Sequence, residues 1–244
     1  MTDGTRVLLR GTSALDHDGH VQPYADAVGT EEFLDRVEAE LAPHGFTPTT
    51  ALPLLSVCRD ELMADFRREV RRRWGHFFDL ASLGGLPLLG RTGVRAALGH
   101  APLDGVRHRL VVLALPHVGL EGGVVGAVSR PGVPGTTSAC GAVVEASRAL
   151  SAGVSGVVMD RHDVEESLLV ARLHEVVGTG TVPGLVELTA LVRTAAVDEL
   201  RLLAGELSTP EAPVDVALVS GVLVHATGAD LVSGVDVELL EPDA

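Results

Sequence analysis

Three side chains in this sequence are soft or borderline metal ligands, and each stands where one type of local pattern gives way to another. Cys58 follows the short apolar run "ALPLLSV". His117 follows the uncharged run "LVVLALP", and Cys140 opens the helical pattern of residues 140–152. In α/β sheets, ligands bind where strands end and helices begin. Two thiolates, one imidazole and one open position make a catalytic zinc sphere. The spacing itself is not diagnostic, because it contains neither Cys-x-x-Cys nor His-Glu-x-x-His. Two other readings stay open on residue types alone. The three could be ordinary buried side chains. Alternatively, Cys140 could be a nucleophile paired with His117, since a helix N-terminus lowers a thiol pKa.

Composition narrows the classes of function. The chain has 244 residues, of which 46% are hydrophobic, enough for one sizeable core. A net charge of −14 argues against a basic nucleic-acid-binding face. All 19 basic residues are arginine, which excludes lysine Schiff-base chemistry and the Gly-Lys-Ser/Thr phosphate loop. No apolar run has the length of a membrane span, and the polar start "MTDGTRVLLRGTSALDHDGH" does not read as a signal peptide. The expected location is the cytoplasm, where two cysteines seldom form a structural disulfide.

The elements that must position these residues follow from periodicity. Residues 1–50 read as an N-terminal lead with one helix, opened by Thr30-Glu31-Glu32 and striped by Phe33, Leu34, Val37 and Leu41. Residues 51–244 read as one domain, with no internal repeat or linker. "ALPLLSV" is a short strand candidate. "RDELMADFRREVRRRWG" is a helix with acids in its first turn, arginines in its last, and Gly75 closing it. Residues 80–105 read as a close-packed loop leading into a short helix near 92–99. "RLVVLALPHVG" is a buried strand whose pattern stops at His117, and a Gly-rich loop follows it. Further helices are expected at 162–177, with Asp163 as a cap, and at 183–207 after Pro183. Two strands close the chain, the second alternating as an exposed or edge strand does. The fold expected is α/β, with a mostly parallel central sheet flanked by helices.

"SVCRDEL", "GGLPLLG", "APLDG", "LVVLALPHVGLEGGVVGAVSR" and "SACGAVVEAS" occur in that order. They are followed by "DVEESLLVARL", "VPGLVELTALVRTAAVDEL" and "VALVSGVLVHAT". Together these stretches resemble the limiting-CO2-inducible B/C protein family, a divergent branch of the β-carbonic anhydrases. The resemblance runs from about residue 50 to 240. It implies that Cys58, His117 and Cys140 are zinc ligands, and that Asp60 is the carboxylate two residues after the first ligand. In the wider β-class an arginine follows that aspartate and pairs with it. Here Leu62 stands at the expected position, leaving Arg67 or Arg68 on the following helix, or Arg130 in "VSRPG", as candidate partners. The family's aromatic loop is replaced by the aliphatic "GGLPLLG".

The chemistry implied is reversible hydration of CO2 to bicarbonate by water that zinc acidifies. Asp60 would orient that water and an arginine would keep Asp60 ionised. Leu and Val near residues 83–89 and 118–125 are candidates to line a CO2 pocket. His76, His100 and His108 are proton-shuttle candidates by type alone, whereas His162, His174 and His225 carry no assignment. The resemblance also implies a homodimer. The alternatives are a zinc enzyme for another small substrate such as carbonyl sulfide, and a catalytically silent zinc scaffold or bicarbonate-responsive protein.

Overall fold

Residues 6–8, 23–153, 159–178 and 180–240 are described by a computed structural model. Two short strands, β1 (Arg6–Leu8) and β2 (Val28–Gly29), precede helix α1 (Thr30–Leu41). The buried residues of α1 are Phe33, Leu34, Val37 and Leu41, the stripe that the 3.6-residue period predicts. Strand β3 (Leu52–Val57) is buried along its whole length. After it, a 3-10 turn (Glu61–Met63) leads into α2 (Ala64–Trp74), so the expected helix starts a few residues late. Then come β4 (Phe78–Asp79), α3 (Gly90–Leu98), β5 (Leu103–Asp104) and β6 (Arg107–Leu115).

The strand pattern does not stop at His117. Pro116 has no N–H to donate to a ladder, so it only interrupts the strand. β7 (His117–Glu121) resumes beyond it, still paired with the same neighbour. The expected Gly-rich loop is built from three short strands, β8 (Val124–Val125), β9 (Ala127–Ser129) and β10 (Thr136–Ser138). Helices α4 (Gly141–Ser151), α5 (Val164–Val177) and α6 (Leu185–Gly205) follow. Asp163 holds the N-cap position of α5 without a capping hydrogen bond from its side chain. Strands β11 (Val214–Ala226) and β12 (Ala229–Leu240) complete the chain.

The main sheet runs β1-β12-β11-β6-β3-β4. β4, β3, β6 and β11 are mutually parallel, and β12 is antiparallel to β11. β12 is not an edge, because β1 and β2 pair along its far side. Its burial does not alternate either, since Val232, Ser233, Val235, Asp236 and Val237 are all buried.

Period two sorts the central strands onto two faces. Val111, Leu113 and Leu115 of β6 share one core with Leu55, Val57, α1 and α2. Leu110, Val112 and Ala114 share the other with Leu52, Leu54, Val94 and the end of α6. The first core also contains Cys58 and Cys140. The helix of the N-terminal lead therefore packs into the same core as the elements after residue 51.

Candidate metal centre

Cys58 is delivered by the end of β3. Its backbone bridges Ser82, and the Arg67 guanidinium donates to its carbonyl at 2.8 Å. The "GGLPLLG" loop packs directly behind it. A Cβ on Gly85, whose φ is +84°, would come within 3.4 Å of the Cys58 nitrogen, so glycine permits both the turn and the close approach.

His117 opens β7. On both sides of Pro116 the register with β11 is kept, with Ser220 opposite Ala114 and Leu223 opposite His117. Cys140 reaches His117 through Gly119. A Cβ there would stand 2.3 Å from the Ala127 carbonyl oxygen. Its absence lets the β9–β10 hairpin cross close to β7. The Gly119 N–H donates to Ala139 O at 2.8 Å, which places Cys140 beside His117.

The three side chains converge. The Cys58 and Cys140 sulfurs are 3.5 Å apart as free thiols, not a disulfide. Both sulfurs and one His117 ring nitrogen lie within 4.8 Å of one another, all buried. For metal–sulfur bonds of about 2.3 Å, a tetrahedral sulfur–sulfur edge is about 3.8 Å, close to the separation seen. The His117 Nε2 is buried and has no hydrogen-bond partner among the described residues. Such an orphan costs about 1–3 kcal/mol, which a metal ion would remove. A hydrogen bond from Cys140 holds the Cys58 thiol well below its usual range, at about 4. The same bond, with burial, pushes Cys140 well up. The donor set fits a thiophilic divalent ion.

Asp60 borders the cluster without belonging to it. Its Oδ2 lies 3.9 Å from His117 Nε2, and its Oδ1 accepts from the Leu62 N–H at 3.1 Å. The arginine that meets it is Arg130, just beyond β9. One Arg130 nitrogen donates to both Asp60 oxygens, at 3.3 and 3.1 Å. The rest of the guanidinium is fixed by Glu61 at 2.6 Å, by Ser138 O at 3.0 Å and by the Thr137 hydroxyl. In return, Arg130 holds the Glu61 carboxyl down at about 2.

Arg68 is not the partner. It is 70% exposed and pairs with Asp65 one turn back on α2. Arg67 faces the site but holds the Cys58 carbonyl and Asp79 instead. The suggested shuttles are not brought together either. His108 stands at the start of β6, the end far from His117, with Pro102 O as partner. His100 packs on Phe78, and His76 is exposed beyond the C-terminus of α2, whereas Asp60 precedes its N-terminus. Of the aliphatic candidates, Leu86 and Val118 are core, while Leu89 and Val124 point outward at 45% and 60% exposure.

Two residues without a sequence assignment do reach the cluster. His225 Nε2 lies 2.9 Å from His117 Nδ1, and His225 Nδ1 lies 2.8 Å from Asp230 Oδ1. A signal existed in "LVHATGAD". A buried imidazole in an apolar strand needs a partner. The Thr-Gly turn makes Asp230 the cross-strand neighbour of His225.

Fold and cluster together define a class, an α/β protein with a Cys-His-Cys group that could hold a metal ion at the ends of its parallel strands. The chain belongs to the family described as limiting CO2-inducible proteins B/C beta carbonic anhydrases, whose model matches residues 27–238. Its fold is similar to the crystal structure of PtLCIB4, a homolog of the limiting CO2-inducible protein LCIB. That match has a TM-score of 0.76 at 23% identity, covering 91% of this chain and 97% of that one. The crystal structure of LCIB itself is similar with a TM-score of 0.70 at 25% identity, covering 89% and 92%. No curated protein sequence matches significantly. Among the described residues, no helix is long and apolar enough to cross a membrane.

Proposed function

We propose that this protein is a zinc-dependent carbonic anhydrase that interconverts CO2 and bicarbonate, and that it works as a homodimer in the cytoplasm. The observation that carries this reading is the buried Cys58–His117–Cys140 group, with an orphaned His117 nitrogen, beside a carboxylate gripped by Arg130. Membership of the family supports it.

Cys58, His117 and Cys140 would hold the ion. Bound zinc supplies Lewis acidity, which brings the pKa of water from about 16 toward 7. Asp60 would accept a hydrogen bond from the attacking water and so aim its lone pair at the carbon of CO2. Arg130 fixes the orientation of this carboxyl group by two contacts at 3.1–3.3 Å. Leu62 adds a backbone donor to the same carboxylate. The arginine absent at position 62 is what favours a silent scaffold, and Arg130 meeting Asp60 from another element weakens that reading.

The test is zinc per chain measured together with the rate of CO2 hydration. About one zinc with hydration above the buffer rate is expected. Zinc-loaded protein without hydration would sink the proposal. Light scattering should give twice the chain mass, and a monomer across micromolar concentrations would remove the homodimer.

A further inference from the structure

His225, which is buried, and Asp230, which is partly exposed, form a polar chain that the proposed reaction does not use. His225 is 3% exposed, in a strand otherwise made of apolar side chains at this level. It stands two residues past Leu223, the partner of His117, and therefore on the same face of the sheet. The position opposite it is Gly119, so no side chain intervenes. The rings of His117 and His225 meet edge to face, 82° apart, at the 2.9 Å nitrogen contact.

The directions of these hydrogen bonds follow from one end. A carboxylate only accepts, so His225 Nδ1 must carry the proton it donates to Asp230 Oδ1. A neutral His225 then has a bare Nε2, which can only accept. His117 Nδ1 must therefore carry the proton of that bond, leaving His117 Nε2 with a free lone pair. That nitrogen is the orphan beside the two sulfurs. We propose that Asp230 and His225 are positioning residues that hold His117 in the Nδ1–H form and in the ring orientation that presents Nε2 to the metal. This rests on reading Cys58, His117 and Cys140 as a zinc site, but not on the reaction carried out there. Outer partners of this kind typically change metal affinity by about 10- to 100-fold.

The experiment measures zinc affinity by competition with a chromogenic chelator, with circular dichroism as the check on folding. Asp230→Ala lies at a hairpin tip, on a side chain 28% exposed, and so is expected to fold. Its zinc dissociation constant should rise by about 10-fold or more. His225→Leu should behave likewise, while His225→Gln, which keeps an acceptor for the His117 N–H, should recover most of the affinity. Asp230→Asn, which also keeps an acceptor, should fall between Asp230→Ala and wild type. In nitrogen-15 spectra of the zinc-loaded protein, His225 should carry its proton on Nδ1. Unchanged affinity in folded Asp230→Ala, or a His225 protonated on Nε2, overturns the inference. A merely structural role would not give rescue by glutamine. Zinc-loaded wild type without CO2 hydration, together with weakened zinc binding in Asp230→Ala, would remove the proposed function and support this inference.

Discussion

Where β3 stops and β6 passes into β7, a buried imidazole nitrogen has no hydrogen-bond partner among the described residues, and two thiols face it. At the other end of the same sheet, where β6 and β11 begin, a cavity of about 920 Å³ is lined by Arg107, Asp215, Arg201 and Glu238 among others. There the charges satisfy one another. Arg107 pairs with Asp215, and Arg201 meets Glu238 at 2.7 Å. What marks a ligand site here is unmet coordination in a dry environment, not volume. This agrees with strand C-terminal ends being the functional end of open parallel sheets.

The largest expected effect lies at the metal end. Cys58→Ser or Cys140→Ser should lose most of the zinc that wild type carries, measured by elemental analysis of protein purified without added metal. Full zinc in either variant would end the three-ligand assignment. Asp60→Asn is next. If Asp60 only caps the turn that begins α2, the cost is at most about 1 kcal/mol of stability and turnover survives. If it orients water, turnover should fall by roughly 10²-fold with zinc retained. The second outcome is expected, and near wild-type hydration in zinc-loaded Asp60→Asn would refute the role.

Arg130→Gln and Arg107→Gln compare the two ends directly. The first should lower turnover by about 10-fold or more, because Asp60 loses the two guanidinium contacts that fix its orientation. The second removes a partly exposed ion pair and should leave zinc content and turnover unchanged, with a stability cost of about 1 kcal/mol or less. Equal kinetic effects in both would erase the contrast.

The smallest effect concerns Glu166 on α5. Burial, then Asp163 and Glu145, push its carboxyl up from 4.5 to about 7. A raised carboxyl favours the protonated folded state, so this contribution to stability is full below 4.5 and is lost as pH rises through 7. Glu166→Gln, always neutral, should therefore raise the melting temperature relative to wild type more at pH 8 than at pH 5. A pH-independent difference would show that Glu166 is not desolvated.

Much of this molecule was legible in its residues because the signals are local. The stripe on α1, the doubly buried β3 and β6, and the stop at Gly75 each follow from a period or a single residue's backbone preference. The three candidate ligands were visible by type and by position at element ends, and the family resemblance singled them out. Asp60, two residues after Cys58, was singled out by the same resemblance. The identity of the arginine was not. Arg67, Arg68 and Arg130 were equivalent as charges, and only the β9–β10 hairpin crossing over Gly119 brings Arg130 to Asp60. The strand beyond Pro116 was cut short in the sequence reading because a proline interrupts any one-strand pattern. Register against β11 restores it. For the same reason His225 stayed unassigned, since its meaning depends on lying diagonally across from His117 in a parallel pair. Composition and periodicity determine which segments become strands and helices and which residue types reach their ends. Which of those ends meet is decided by long-range pairing, because contacts between residues far apart in the chain leave no periodic trace in either segment.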